Sequence, residues 1–362
     1  MKRIFLMRHS IPEKRDMPNE QIPLSEEGKA LALSKSNVLS NVDRCFSSPY
    51  RRAVETAELI VDHPFIVEEL HERTIGDAKE AEEGKYQYMV TDYPGTIGLR
   101  FNFINGGTSG LMSNVKIRKA ISYSIDREEM IDAVYGRYNP AYSYVAPAIT
   151  FNGSSYRSQV GEVIEDEYNE YVGDPDKIVA LFQEGLDELG VETPIEDITL
   201  TYLTSGSTTE VQAEREYIQQ SLEETLGLTV ELSVAGDNSL FIADRNEGNY
   251  DFFLGGWYSD YNDPLDFLYT NYTDAYGMSF GGYSNTDYDA LADQLVGETD
   301  MDKRLDIYKQ MEQILLLDDC AFAPIYYATK QVLLQNWVKD YRTSSFGASA
   351  EFIWTYIDGK NQ

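Results

Sequence analysis

The stretch Tyr250-Asp251-Phe252-Phe253-Leu254-Gly255-Gly256-Trp257-Tyr258-Ser259-Asp260-Tyr261-Asn262-Asp263-Pro264 passes from a short apolar block into an aromatic, acidic loop. A block of that length reads as a strand buried on both faces, and such strands belong to sheets covered by helices. The loop that follows is built to hold something. The segment therefore predicts an α/β sheet with a binding loop at one strand end.

Upstream, residues 198–203 read as a strand and 208–226 as a helix closed by Gly227, while Leu228, Val230, Leu232 and Val234 alternate as the next strand. This is a βαβ unit, with a right-handed crossover expected. Further upstream, residues 96–103 form a strand, followed by a glycine-rich loop at 106–110 and a helix from Val115 that buries Ile117, Ala120, Ile121 and Ile125. Asp126 with Glu129 opens a second helix through Met130, Ile131 and Val134. Asp174-Pro175 opens a third, whose Ile178, Leu181, Phe182, Leu186 and Leu189 fall at helical spacing. These stripes are core and imply no site. The loop Gly106-Gly107-Thr108-Ser109-Gly110 lacks the Gly-Lys-Ser/Thr ending of a phosphate cradle and reads as a plain loop.

With 362 residues, the chain is long enough for more than one domain. Its formal charge of -31 opposes a nucleic-acid partner or an anionic membrane surface. The charge is uneven: residues 1–79 hold 12 Lys/Arg against 13 Asp/Glu, and residues 80–362 hold 18 against 48. All three histidines, His9, His63 and His71, precede residue 80, whereas only Tyr50 of the 27 tyrosines does. Two compositions thus meet near residue 80, and the join is placed between Ala78 and Tyr86. Only Cys45 and Cys320 are present, so neither a disulfide framework nor a thiolate metal site is expected. No metal or organic cofactor is implied.

In residues 1–79, Ile4-Phe5-Leu6-Met7 reads as a strand ending in Arg8-His9, at the edge where open α/β sheets place ligands. Ser25 caps a helix running to about Leu39. A short strand at 44–47 precedes Ser48-Pro49, the start of a helix that buries Ala53, Ala57, Ile60 and Val61.

Arg8-His9, Ser48-Pro49-Tyr50-Arg51-Arg52-Ala53 and Leu70-His71-Glu72-Arg73, in that order, resemble the histidine phosphatase (phosphoglycerate mutase-like) superfamily. The resemblance implies His9 as a phosphorylated nucleophile, Arg8 and Arg52 gripping phosphoryl oxygens, and Glu72 as proton donor. Those residue types suit the chemistry, since imidazole attacks phosphorus and planar guanidinium forks match phosphate. Ser10 stands where the family has Gly, and no second His-Gly signature follows. A truncated segment that does no chemistry is therefore expected.

Residues 80–362 resemble the peptide-binding (family 5 solute-binding) proteins of ABC importers. The resemblance rests on the quoted loop, on Val115-Lys116-Ile117-Arg118-Lys119-Ala120 through Ile125-Asp126-Arg127, on Gly282-Tyr283-Ser284-Asn285 with Tyr288-Asp289-Ala290-Leu291, and on Ala323-Pro324-Ile325-Tyr326-Tyr327. It implies that Asp260, in the Gly-Trp-x-x-Asp-Tyr motif, pairs with a peptide's free α-amino group. Trp257 and its aromatic neighbours Tyr258 and Tyr261 would line roomy side-chain pockets.

The expected architecture is α/β: a mixed sheet flanked by helices at 80–362, after a truncated phosphatase-like βα unit at 1–79. The expected function is capture of short peptides, by a monomer, for a permease and ATPase outside the cytoplasmic membrane. A phosphohydrolase working through His9 is the alternative, and a chimera of two genes accounts for the abrupt change of pattern. Because the N-terminus reads as a strand and not as an export signal, this chain as written is expected to remain in the cytoplasm.

Overall fold

The computed structural model describes residues 23–26, 29, 30, 32, 33, 46, 47, 51–59, 65, 66, 84, 86–273, 275, 280–346 and 350–359. The chain divides into two units, Met1–Glu80 and Ala81–Gln362.

In the first unit, strands Phe46–Ser47 and Phe65–Ile66 pair in parallel, with helix Arg51–Glu58 between them in sequence. Ala57 is buried as expected, as are Thr56, Leu24 and Ala32, whereas Ala53, also expected to be buried, is only half-buried. Glu55 accepts from the Leu24 amide at 2.7 Å and from Arg51 Nε at 2.8 Å, one turn back on the same helix. The strand expected at Ile4–Met7 and the helix start at Ser48-Pro49 lie outside the described residues, as do Ile60 and Val61.

The second unit is organised by a six-stranded mixed sheet. Its strands are β1 (Tyr86–Phe101), β2 (Asn139–Pro140), β3 (Thr199–Ser205), β4 (Thr229–Ala235), β5 (Phe252–Tyr258) and β6 (Phe322–Gln335), in the spatial order β2-β6-β1-β5-β3-β4. β5 runs parallel to β3, and β3 parallel to β4, while β1 is antiparallel to both β5 and β6. The strand expected at 96–103 begins ten residues earlier, because Tyr86–Asp92 pairs with Thr329–Gln335 as a half-exposed arm. Pro324 cannot donate to a ladder, and the β1–β6 register shifts just there, between Pro324 and Tyr326.

β1 and β5 approach so closely that no side chain fits between them at Gly256. A Cβ there would lie 1.9 Å from the Thr96 carbonyl oxygen. One layer over, a Cβ on Gly98 would meet the Ala323 carbonyl oxygen at 2.2 Å. Glycine is the residue that permits backbone to pass backbone at this distance.

Two cores cover the two faces of the sheet. On one, Leu99, Phe101, Leu200 and Phe252 pack against α1 (Val115–Tyr123), α2 (Pro175–Leu189) and α3 (Thr209–Leu226). Each helix starts on the side chain its sequence supplies: Asn114 accepts from the Lys116 and Ile117 amides, Asp174 from Lys177, and Thr208 from Val211. Gly190 and Gly227 close α2 and α3 in the left-handed conformation. On the opposite face, Phe322 and Tyr327 of β6 pack with Tyr144, Tyr156, Phe267, Tyr288, Tyr308 and Met311. The strand alternation of β6, with Phe322 on one side and Ala323 on the other, produces the division.

The second core contains a buried ion pair between Arg157 and Glu312. Glu312, fully buried, also accepts from the Tyr144 and Val145 amides at 3.2 and 3.0 Å and from the Tyr156 hydroxyl at 3.0 Å. The pair therefore ties residues 144–157 to helix α5 (Met301–Gln313). Two further buried arginines are held by neutral oxygens: Arg118 by the carbonyls of Met112, Asp319 and Cys320, and Arg127 by those of Ala141 and Pro324.

Candidate functional site

The quoted stretch folds into β5, a five-residue loop and the short helix α4 (Pro264–Leu268). Asp263 caps α4 by accepting from the Leu265 amide at 2.9 Å, and Pro264 occupies its first turn. Asp266 follows, buried within α4. Its Oδ2 accepts from Trp257 Nε1 at 2.8 Å and from the Asp260 amide at 2.9 Å. One carboxylate oxygen thus fixes both the indole and the backbone of the loop.

The rest of the loop is tethered residue by residue. The Ser259 amide donates to the Pro94 carbonyl at 2.8 Å. Asn262 accepts from the Thr150 amide at 2.8 Å and donates to its hydroxyl at 2.6 Å. The Tyr308 hydroxyl donates to Asp263 Oδ1 at 2.8 Å. A loop held at so many points presents Asp260 in one geometry, and Asp260 is exposed. Its carboxylate makes no hydrogen bond or ion pair among the described residues. Three carboxylates within seven residues, with Arg304 the nearby cation, make the surroundings electronegative. The Tyr261 phenol registers this: burial pushes it up, and the charges of Asp266, Asp263 and Asp260 push it further.

Trp257 and Tyr258 are neighbours in sequence and lie on opposite faces of β5. Trp257 is half-buried against the second core. Tyr258 is 48 % exposed and meets Tyr93 with ring centroids 5.7 Å apart. The structure therefore brings Trp257 and Asp260 together through Asp266, and separates Trp257 from Tyr258 by strand alternation. Burial and the neighbouring Tyr138, Tyr93 and Glu214 push the Tyr258 phenol up to about 12. Tyr261, 49 % exposed, flanks Asp260 on the loop.

Asp266 and Asp251 are the residues that sequence reading missed. Both are acidic residues beside aromatic runs, and no local pattern marks them as buried. Asp251 Oδ1 accepts from the Ser109 amide at 2.8 Å and from its hydroxyl at 2.7 Å, and Oδ2 accepts from the Thr201 amide at 2.7 Å. Burial raises its pKa against those donors. Ser109 of the glycine-rich 106–110 loop is thus engaged by a protein carboxylate, and the other amides of the loop donate to backbone carbonyls, which agrees with reading it as a plain loop.

A half-open pocket of about 200 Å³ lies elsewhere, among Tyr123, Asp126, Glu129, Pro175, Tyr217 and Glu224, and includes no residue of the Asp260 loop. No cluster of potential metal ligands occurs among the described residues. Cys320 is buried, which pushes its thiol up to about 11. Arg8, His9 and Glu72 lie outside the described residues. Arg52 is placed by its backbone within helix Arg51–Glu58, and its side chain lies outside them too.

A mixed sheet with a core on each face and a rigid, acidic, aromatic loop at the end of an inner strand defines a lobe of the periplasmic-binding-protein type. The chain belongs to the bacterial extracellular solute-binding proteins of family 5, whose middle part matches residues 66–279. It is 31 % identical over 237 residues to the oligopeptide-binding protein OppA of Bacillus subtilis (strain 168), covering 63 % of this chain and 39 % of that protein. It is 30 % identical over 249 residues to the dipeptide-binding protein DppE of the same strain, covering 68 % and 42 %. The peptide-bound OppA of Listeria monocytogenes superposes with a TM-score of 0.62 at 27 % identity, covering 91 % of this chain and 56 % of that one. The chain thus spans about two fifths of the length of these curated relatives. They are binding proteins by name, as is the periplasmic murein peptide-binding protein MppA of Escherichia coli (strain K12). Residues 4–109 match branch 1 of the histidine phosphatase superfamily, a range that extends through β1.

Proposed function

We propose that this chain captures short peptides for an ABC importer outside the cytoplasmic membrane, as a monomer, with Asp260 pairing with the peptide's α-amino group. The observation that carries the reading is the exposed, unpartnered Asp260 carboxylate on a loop clamped by Asp266. A carboxylate already fixed in place loses little conformational freedom on meeting an ammonium, so the charge-assisted hydrogen bond is realised nearly in full. Family membership and the names of the relatives support the peptide as ligand. Tyr261 beside Asp260, and Trp257 and Tyr258 on the two faces of β5, supply aromatic surface for peptide side chains. Backbone hydrogen bonds would add affinity without sequence preference.

The test compares short peptides with free and N-acetylated termini by calorimetry. Asp260→Ala is expected to weaken the free-amine peptides by about 10- to 100-fold, the range for a hydrogen bond to a charged group, and to spare the acetylated ones. Equal losses for both would remove the assigned role.

For the N-terminal part we infer a histidine phosphatase-like segment over 1–79 joined to the binding lobe over 80–362, the product of two fused genes. The match over residues 4–109 supports the phosphatase-like origin. The second reading, phosphohydrolysis through His9 with Arg8, Arg52 and Glu72, predicts turnover of an aryl phosphate that His9→Ala abolishes. The inactive-segment reading predicts equal, negligible rates for the two proteins.

A further inference from the structure

Four tyrosines, Tyr135, Tyr202, Tyr258 and Tyr326, lie within electrostatic reach of Glu214, and a fifth, Tyr138, stacks on Tyr326. Tyr138 and Tyr326 stack with centroids 4.5 Å apart and planes 3° from parallel, and Tyr135 meets both at 4.9 Å. The Tyr135 hydroxyl donates to Glu214 Oε2, which reaches in from α3. Tyr202 of β3 completes the floor. Its hydroxyl is fully buried, faces Thr204 and Glu214, and completes no hydrogen bond of normal geometry. Tyr258, half-exposed, stands at the open side within electrostatic reach of Tyr138 and Glu214.

A buried hydroxyl without a partner is rare, because leaving it unpaired costs about 1–3 kcal/mol. A carboxyl walled by aromatic rings is also costly unless a cation joins it. An ammonium group satisfies every one of these needs together. It pairs with Glu214, donates to the Tyr202 oxygen and lies against ring faces whose quadrupoles attract positive charge. Tyr258 is the last residue of β5, at the carboxyl end where open α/β sheets bind ligands. The nearby cation Arg137 is already engaged, donating to Glu210 and to the Tyr138 hydroxyl.

We propose that Glu214, Tyr135, Tyr138, Tyr202, Tyr258 and Tyr326 form a cation cage that takes the ammonium of a lysine-type side chain of a bound ligand. The proposal rests on the peptide-capture reading for its ligand, and on the cage alone for its chemistry. Burial holds the Glu214 carboxyl up at about 7, with Glu210 raising it and the Tyr135 donor opposing. The groups facing it are Tyr135, Tyr202, Tyr258, Tyr326 and Glu210, with Arg137 paired to Glu210 and Arg215 beside Tyr202. Cation binding should therefore strengthen as pH rises from about 6 to about 8 and Glu214 loses its proton.

The experiment measures, on the full chain, the affinities of Ala-Lys-Ala and of the same peptide with norleucine in place of lysine, which keeps the free N-terminus and removes only the side-chain ammonium. The expected result is at least roughly tenfold tighter binding of the lysine peptide, a ratio that falls to about one in Glu214→Gln. Equal affinities in the unmodified protein, or a ratio that survives Glu214→Gln, would overturn the cage. In parallel, n-butylammonium chloride is compared with sodium chloride at equal ionic strength in thermal unfolding. A rise in Tm specific to butylammonium and absent in Glu214→Gln supports the cage even when neither peptide binds, an outcome that would instead defeat the peptide-capture reading. No specific rise in the unmodified protein counts against the cage independently of any peptide.

Discussion

Asp266 accepts the Trp257 indole N–H at 2.8 Å through the same carboxylate oxygen that holds the Asp260 amide at 2.9 Å. The residue that positions the candidate amine-binding carboxylate is thus another carboxylate, six residues on, buried in the first turn of the following helix. Removing it leaves a half-buried indole N–H and a loop amide without their acceptor.

Asp266→Ala is accordingly expected to destabilise the second unit by about 2–3 kcal/mol, through two donors left unpaired. It should also weaken peptide binding by loosening the loop. Asp260→Ala, at an exposed position, should change stability by less than about 0.5 kcal/mol. Thermal unfolding of both variants separates the two roles. An unchanged midpoint for Asp266→Ala would mean that the Pro94, Thr150 and Tyr308 tethers suffice to hold the loop.

The Arg157–Glu312 pair lies in the second core with both partners buried. Breaking it from one side leaves an uncompensated charge, and Glu312→Gln should cost about 3–5 kcal/mol. Replacing both partners by apolar residues of similar volume should cost less than either single change. Denaturant melts of the two single variants and the double variant decide this, and additive losses would contradict a coupled pair.

Glu214 provides a pH signature. Its folded pKa, near 7, lies above its unfolded value near 4.5. The folded state therefore binds the extra proton, and the chain should lose stability as pH rises between those two values and level off above the upper one. Glu214→Gln removes that dependence, so the variant should gain on the unmodified protein by on the order of 2–3 kcal/mol between pH about 5 and about 8. A constant stability difference across that window would show that Glu214 titrates normally.

Gly256→Ala would place a methyl group 1.9 Å from the Thr96 carbonyl oxygen, backbone that cannot swing away. The β1–β5 ladder must part locally, at a cost of about 3 kcal/mol or more, as for other severe steric insertions. Because β5 delivers the Asp260 loop, binding should fall with stability. A variant of unchanged Tm would show that the sheet absorbs the methyl group elsewhere.

Local chemistry made much of the second unit legible in advance. Asp174 caps α2 because its carboxylate accepts the free amides of the first turn, and Gly227 ends α3 because a residue tolerant of positive φ closes a helix in that way, whereas Thr208, read as the first helical residue, is the cap of α3. The apolar run at 252–254 demanded a buried strand, and the compositional break near residue 80 falls beside the boundary between the two units. Asp260 stood out by its motif. Its clamp Asp266 did not, since an acid in the first turn of a helix is ordinarily solvated. Glu214 escaped notice for the same reason: on α3 it is one of several glutamates, and only packing against Tyr135 and Tyr202 sets it apart.

By itself, then, the sequence determined the elements and their caps, the family and the loop that carries Asp260, because those follow from near-neighbour spacing along the chain. Only the tertiary structure decided which acids are buried and that four tyrosines from four separate segments lie around one glutamate. Burial and convergence depend on contacts between residues far apart in sequence, and short-range patterns carry no information about the dielectric a side chain will meet.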